Sequence, residues 1–205
     1  VLLCFLFVIN GANLIDGFNG LLALNLLIIN IILTYINLNN SNLEFSILLI
    51  SQIVILLSFL LFNFPHAKIF LGDSGAYLMG SLIALNTIIT NNLNPNISSF
   101  FFCTLLFYIF FEVFFSFLRK LKQNKSPIYP DNKHLHMLSY FKISSYYGKY
   151  KANYINSVII NLSYLILILP GLYLMNSPIL SRYWFFILLI IYIIIYSRLY
   201  HLTKN

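Results

Sequence analysis

The chain has 205 residues, 60% of them hydrophobic and only 8% charged. A soluble domain carries roughly 25% charged residues to cover its surface, so this composition excludes an ordinary water-soluble fold. The formal net charge of +7 does not mark a nucleic-acid binder, because the cations lie in polar stretches between long apolar runs, where they set membrane orientation.

Taken in chain order, the sequence opens on nine apolar residues, Val1–Ile9. A bilayer core of about 30 Å needs roughly 20 helical residues, so this stretch reads as the end of a helix whose start lies upstream. Six full spans follow, at Leu21–Asn37, Ser46–Phe62, Ala76–Thr90, Ser98–Leu118, Tyr154–Met175 and Tyr183–Ser197. The expected fold is all-α: one polytopic transmembrane helix bundle over residues 1–205, the C-terminal portion of a larger fold. Cys4 and Cys103 fall inside apolar runs without metal-type spacing and read as packing residues.

Alternating the loops across a bilayer sorts the charges. One side receives Lys68, Arg119, Lys120, Lys122, Lys125, Lys133, Lys142, Lys149, Lys151, Arg198 and Lys204; the other receives Arg182 alone. The positive-inside rule makes the first side cytoplasmic. His66, His134, His136, His201, Asp16, Asp73 and Asp131 fall on it too. A purely structural membrane protein has no reason to gather every Asp and His on one face.

Three segments carry chemistry. In Asn10-Gly-Ala-Asn13-Leu-Ile-Asp16-Gly-Phe-Asn19-Gly20, polar residues recur every third position, and their amides and carboxylate can read a polar ligand. The same residues could instead cap a helix at the membrane surface. In Phe70-Leu-Gly72-Asp73-Ser74-Gly75, Asp73 is either an N-cap or a hard oxygen ligand for Mg²⁺, with flanking glycines that let a phosphate approach. In Ser126-Pro-Ile-Tyr-Pro-Asp131-Asn-Lys133-His134-Leu-His136, two prolines favour extended backbone. Imidazoles two apart then point the same way, able to donate to phosphate or move a proton. The bland alternative is a basic loop held by anionic headgroups. Glu112 is a carboxylate inside an apolar span, a position that is costly and functional by default; an ion pair with Arg119, seven residues on, is its structural explanation.

At NGANLIDGFNGL (10–21), IFLGDSGAYLMG (69–80) and SPIYPDNKHLHML (126–138) the chain resembles the polyprenyl-phosphate N-acetylhexosamine-1-phosphate transferases (glycosyltransferase 4), in the family's order and over essentially the whole chain. Two spans after the histidines look like its N-acetylglucosamine-type branch. The resemblance implies a Mg²⁺-dependent (or Mn²⁺-dependent) glycosyl-1-phosphate transferase of the bacterial inner membrane with its active-site loops cytoplasmic. It would pass a sugar 1-phosphate from a UDP-sugar to polyprenyl phosphate, releasing UMP, in cell-wall or lipopolysaccharide synthesis. Asp73 would be the metal ligand and, with His134 and His136, catalytic. Asn10, Asn13, Asp16, Asn19, Asp131 and Lys133 would bind substrate, Asn13 and Asp16 at the nucleotide. The partners implied are the UDP-sugar, the lipid phosphate and the bilayer, with a homodimer admitted.

Asn19 stands where many members carry Asp. The family's paired-aspartate segment belongs upstream of Val1, so the 205-residue chain alone is expected to be inactive. A non-catalytic remnant or one part of a split enzyme is the alternative reading; a lipid-linked sugar transporter, which would need polar residues deep in broken spans, is a more distant one.

Overall fold

In the bilayer no water can satisfy a bare peptide group, so long apolar runs close their hydrogen bonds within helices. The computed structural model describes residues 2–124, 126, 129 and 131–204, the side chain of residue 204 excepted. Pro127 and Pro130, expected to extend the backbone before the histidines, lie outside them, as do Val1, Lys125, Ile128 and Asn205. The described residues form eight helices and no strand: α1 Leu2–Ile15, α2 Leu21–Asn39, α3 Leu43–Asn63, α4 Gly72–Leu93, α5 Ser99–Leu105, α6 Phe107–Lys122, α7 Leu135–Tyr173 and α8 Pro178–Lys204. The all-α bundle is as expected.

By length and apolarity, four helices can cross a membrane (α2, α3, α7 and α8), and five if the bent pair α5–α6 is one span. Two of the six expected runs differ from simple spans. α4 is long enough but carries Asn86, Thr87 and Thr90, all buried. The run Ser98–Leu118 breaks at Leu106, and its halves meet at 75°. The expected loop from Arg119 to Asn153 is also largely helical, since α6 continues to Lys122 and α7 begins at Leu135. α7 is interrupted at Gly148, whose φ of 76° and ψ of 158° belong to glycine.

Helices in lipid gain little from apolar burial against each other, so small residues and polar pairs hold them. Gly11 of α1 lies against α6: a Cβ there would sit 2.1 Å from the Ile109 carbonyl oxygen. Gly80 of α4 faces α1, where a Cβ would sit 2.7 Å from the Ala12 Cβ. Buried amides link α2, α3, α4 and α7. Asn86 donates to Gln52 at 2.6 Å and to Asn30 at 3.4 Å, Asn37 donates to Thr90 at 2.9 Å, and Asn25 donates to Asn161 at 3.2 Å. Cys4 and Cys103, expected inside the packing, are free and exposed; both line an apolar groove with Val8, Phe102 and Phe110. The apolar runs that contain them face outward there.

The bundle has two polar ends. At one, Asn42 bonds Asn94 at 3.3 Å and the Ser98 N–H reaches the Met175 carbonyl at 2.8 Å. The other collects the α1–α2 turn, the α3–α4 connection and the start of α7.

Candidate active site

The α1–α2 turn is cross-braced. The Asn19 N–H donates to Asn153 Oδ1 and its side-chain amide to the Pro65 carbonyl, both at 2.8 Å. The Gly20 N–H donates to Asn63 Oδ1 at 2.7 Å. Gly20 has φ 75°, which turns the chain into α2 without a side-chain penalty.

Asp16 lies in this turn, within reach of the charge of Asp73 in the first turn of α4. Burial raises the Asp16 carboxyl to about 6, and the charge of Asp73 adds to the rise. Among the described residues neither carboxylate has an ion-pair partner. A Cβ on Gly17 or Gly72, the glycines adjoining the two aspartates, would meet nothing within 4 Å, so the approach is open. No group of three or more His, Cys, Asp or Glu residues that could hold a metal occurs among the described residues. Two carboxylates with an open side do not make a zinc-type cage, but they fit Mg²⁺, which takes one or two carboxylates and completes its shell with water and phosphate oxygens. On sequence, Asp73 goes to the metal and Asp16 to the nucleotide; in the fold the charge of Asp73 reaches Asp16.

The other expected residues divide. Asn13 donates to the Tyr77 hydroxyl at 3.1 Å, tying α1 to α4 near the aspartates. Asn10 is exposed and bonds the Leu6 carbonyl of its own helix at 2.7 Å, away from the group. Asn19 is committed to bracing. Beside it an open concavity of about 480 Å³ is lined by Asn19, His66, Phe70, Lys149, Tyr150 and Asn153. His66 is exposed there and stacked on Tyr150 at 5.3 Å.

The histidine segment is less of a loop than the prolines implied. His134 is the extended N-cap of α7, and His136 lies in its first turn. Both are buried, 6% and 3% exposed, with rings parallel within 4° at 5.4 Å. Phe18 of the α1–α2 turn meets His136 edge-on at 5.8 Å, which brings this segment to the aspartate end. The Asn156 amide holds the His136 carbonyl at 2.9 Å.

Arg119 does not pair with Glu112. It grips Asp131 with both Nη atoms at 2.9 and 3.1 Å, a fork that outcompetes a partner one helical face away. Glu112, 1% exposed, sits 3.3 Å from His134 Nδ1. Asp131 therefore serves the loop's own structure, and its Oδ1 stands 3.6 Å from His134 Nε2. Lys133 sends its ammonium over the Tyr200 ring at 5.6 Å.

Burial pushes the Asp131 carboxyl up, but the Arg119 hydrogen bond and the Lys133 N–H outweigh it and bring it down to about 2. A depressed carboxyl stabilises the fold above its ordinary value and gives that up as pH falls toward the folded one. A spin label at exposed position 132 is thus expected to stay restrained from about pH 8 to about 4 and to loosen between about 4 and 2. In Arg119→Gln, electron paramagnetic resonance should already show the loosening at neutral pH.

Comparison with known proteins bears on this end of the bundle. Residues 1–91 match the model of glycosyl transferase family 4. It is 31% identical over 150 residues to the undecaprenyl-phosphate alpha-N-acetylglucosaminyl 1-phosphate transferase of Thermotoga maritima, covering 72% of this chain and 43% of the relative. It is 30% identical over 129 residues to the probable undecaprenyl-phosphate N-acetylglucosaminyl 1-phosphate transferase of Bacillus subtilis, covering 62% of this chain and 36% of that one. A phospho-N-acetylmuramoyl-pentapeptide-transferase of Leuconostoc citreum is 40% identical over 80 residues, 39% of this chain and 25% of the relative. The chain thus spans less than half the length of these relatives. No solved structure matches it. The Asn10–Leu21 and Ile69–Gly80 segments lie within the family match; the histidine segment lies beyond it.

Proposed function

We propose that the protein carrying this chain transfers an N-acetylhexosamine 1-phosphate from a UDP-sugar to polyprenyl phosphate. The lipid phosphate oxygen attacks the β-phosphorus, the bond from that phosphorus to the bridging oxygen breaks, and UMP leaves with that oxygen. The observation that carries the reading is that half-buried Asp16 feels the charge of exposed Asp73, at the end of the bundle that also holds His134 and His136. Asp16 and Asp73 would hold Mg²⁺ or Mn²⁺, whose charge would offset that of the diphosphate. His134 and His136 would face the phosphates, Asn13 would fix the Asp16 side of the site through Tyr77, and the concavity beside Asn19 has room for part of the donor.

The cation bias of the sequence supports placing this end in the cytoplasm of a bacterial cell, with the lipid entering from the bilayer. The undecaprenyl-phosphate transferases among the relatives support the undecaprenyl-linked acceptor. The test supplies radiolabelled UDP-N-acetylglucosamine and polyprenyl phosphate to the complete protein in nanodiscs. Labelled lipid diphosphate forming only with Mg²⁺ or Mn²⁺ is expected; no product from any UDP-N-acetylhexosamine would favour a non-catalytic part.

A further inference from the structure

The last helix carries tyrosines at 192, 196 and 200, four residues apart and so on one face. Their rings stack in sequence, Tyr192 on Tyr196 at 6.3 Å and Tyr196 on Tyr200 at 6.1 Å. Leucine or phenylalanine would fill an apolar anchor equally well, whereas a hydroxyl inside the bilayer must find a partner. The Tyr192 hydroxyl donates to Glu112 Oε2 at 2.7 Å. The Tyr196 hydroxyl donates to the Lys133 carbonyl at 3.0 Å. The Tyr200 ring underlies the Lys133 ammonium.

Glu112 completes the pattern. Its second oxygen accepts the Leu135 N–H at 2.8 Å, an otherwise unpaired donor at the start of α7. The same oxygen stands 3.3 Å from His134 Nδ1. A buried carboxylate is tolerated only with partners, and this one spends its partners on residues 134 and 135 and on α8. Residues 133 and 135 are held by hydrogen bonds on either side of His134, whose Nδ1 has no hydrogen-bond partner and lies against the Glu112 carboxylate at 3.3 Å.

We infer that Glu112, Tyr192 and Tyr196 are positioning residues: a carboxylate in α6 and a tyrosine ladder in α8 fix the orientation of the His134 ring and, through the parallel stack, that of His136. The part these imidazoles play rests on the proposed function; their being held by this device does not. All three are buried, 1%, 4% and 6% exposed, against protein partners.

The test labels the chain with ¹⁵N-histidine in nanodiscs and compares Glu112→Gln, Tyr192→Phe and Tyr196→Phe with Tyr183→Phe, an exposed tyrosine near the start of the same helix. His134→Asn and His136→Asn assign the ring resonances. In folded Glu112→Gln and Tyr192→Phe, the His134 ring nitrogens are expected to shift while those of His66 and His201 stay put. In Tyr196→Phe, a spin label at position 132 is expected to gain mobility with thermal unfolding unchanged. Unmoved His134 signals in the folded variants would overturn the inference. So would loss of the fold in all three variants with Tyr183→Phe intact, because the contacts would then be structural only. No transfer is measured, so a negative activity assay and a negative result here stay distinguishable.

Discussion

Replacing Asp73 by asparagine is expected to weaken Mn²⁺ binding to the chain at least tenfold, about 1.4 kcal/mol, and to lower sugar-phosphate transfer by the complete protein roughly 100-fold or more. The amide keeps the size and the helix-start position of the carboxylate but removes its charge. Asp16 then loses the neighbour that helps to raise its carboxyl. Asp16→Asn should act in the same direction on the cation. The pH dependence separates binding from folding. Because the Asp16 carboxyl lies at about 6 in the fold, above its ordinary value, its contribution to stability is present at low pH and declines as pH rises through about 6. Cation binding needs the carboxylate and runs the other way, weakening as pH falls through about 6. Mn²⁺ titrations followed by paramagnetic resonance at about pH 5 and 8 would show the difference; equal affinity in Asp73→Asn and the parent chain would remove the aspartate pair from the mechanism.

Gly11→Val is expected to destabilise the bundle by about 3 kcal/mol or more, the upper end of overpacking costs. The obstacle is the Ile109 backbone carbonyl, 2.1 Å from where the first added carbon would lie, and a carbonyl inside a helix cannot step aside as a side chain does. α1 and α6 must separate, which also loosens the Phe7 contacts to Phe110 and Phe114. Gly17→Ala is the matched control, with nothing within 4 Å of the added carbon. Thermal unfolding in nanodiscs should separate the two. Equal melting would mean that the α1–α6 seam yields.

The sequence showed the fold class and several of its spans because α2, α3 and α8 are predominantly apolar runs of the right length, for which lipid allows one solution. The bend at Leu106 was not legible. The stretch around it, Phe-Phe-Phe-Cys-Thr-Leu-Leu-Phe-Tyr-Ile, has no proline or glycine to mark a break; α5 packs on α7 and α8 while α6 packs on α1, partners that no local signal names. The site was legible in part. The motif residues indicated where chemistry sits but not how they pair. Asp16 lies in the α1–α2 turn and Asp73 at the start of α4, and the bonds from Asn13 to Tyr77, from Asn19 to Pro65 and from Gly20 to Asn63 tie the two regions across a sequence gap that no spacing rule spans. Helical spacing offered Arg119 to Glu112, yet Asp131, twelve residues on, presents both oxygens to its fork. Asn19 looked like a ligand because an amide serves equally as reader and as brace. The α8 tyrosines carried a signal that could have been read, hydroxyls every fourth residue in an apolar span, but it passes for ordinary aromatic packing until their partners are seen.

Drawn straight at about 1.5 Å per residue, the 39 residues of α7 would reach roughly 60 Å, twice the hydrocarbon thickness. The kink at Gly148 divides it into a short arm bearing the imidazoles and a longer, apolar piece. The arm therefore does not inherit its heading from that piece. Its aim is decided by one pair of torsions and by the contacts that lash it down, so cutting those contacts would swing the histidines away without disturbing a membrane anchor.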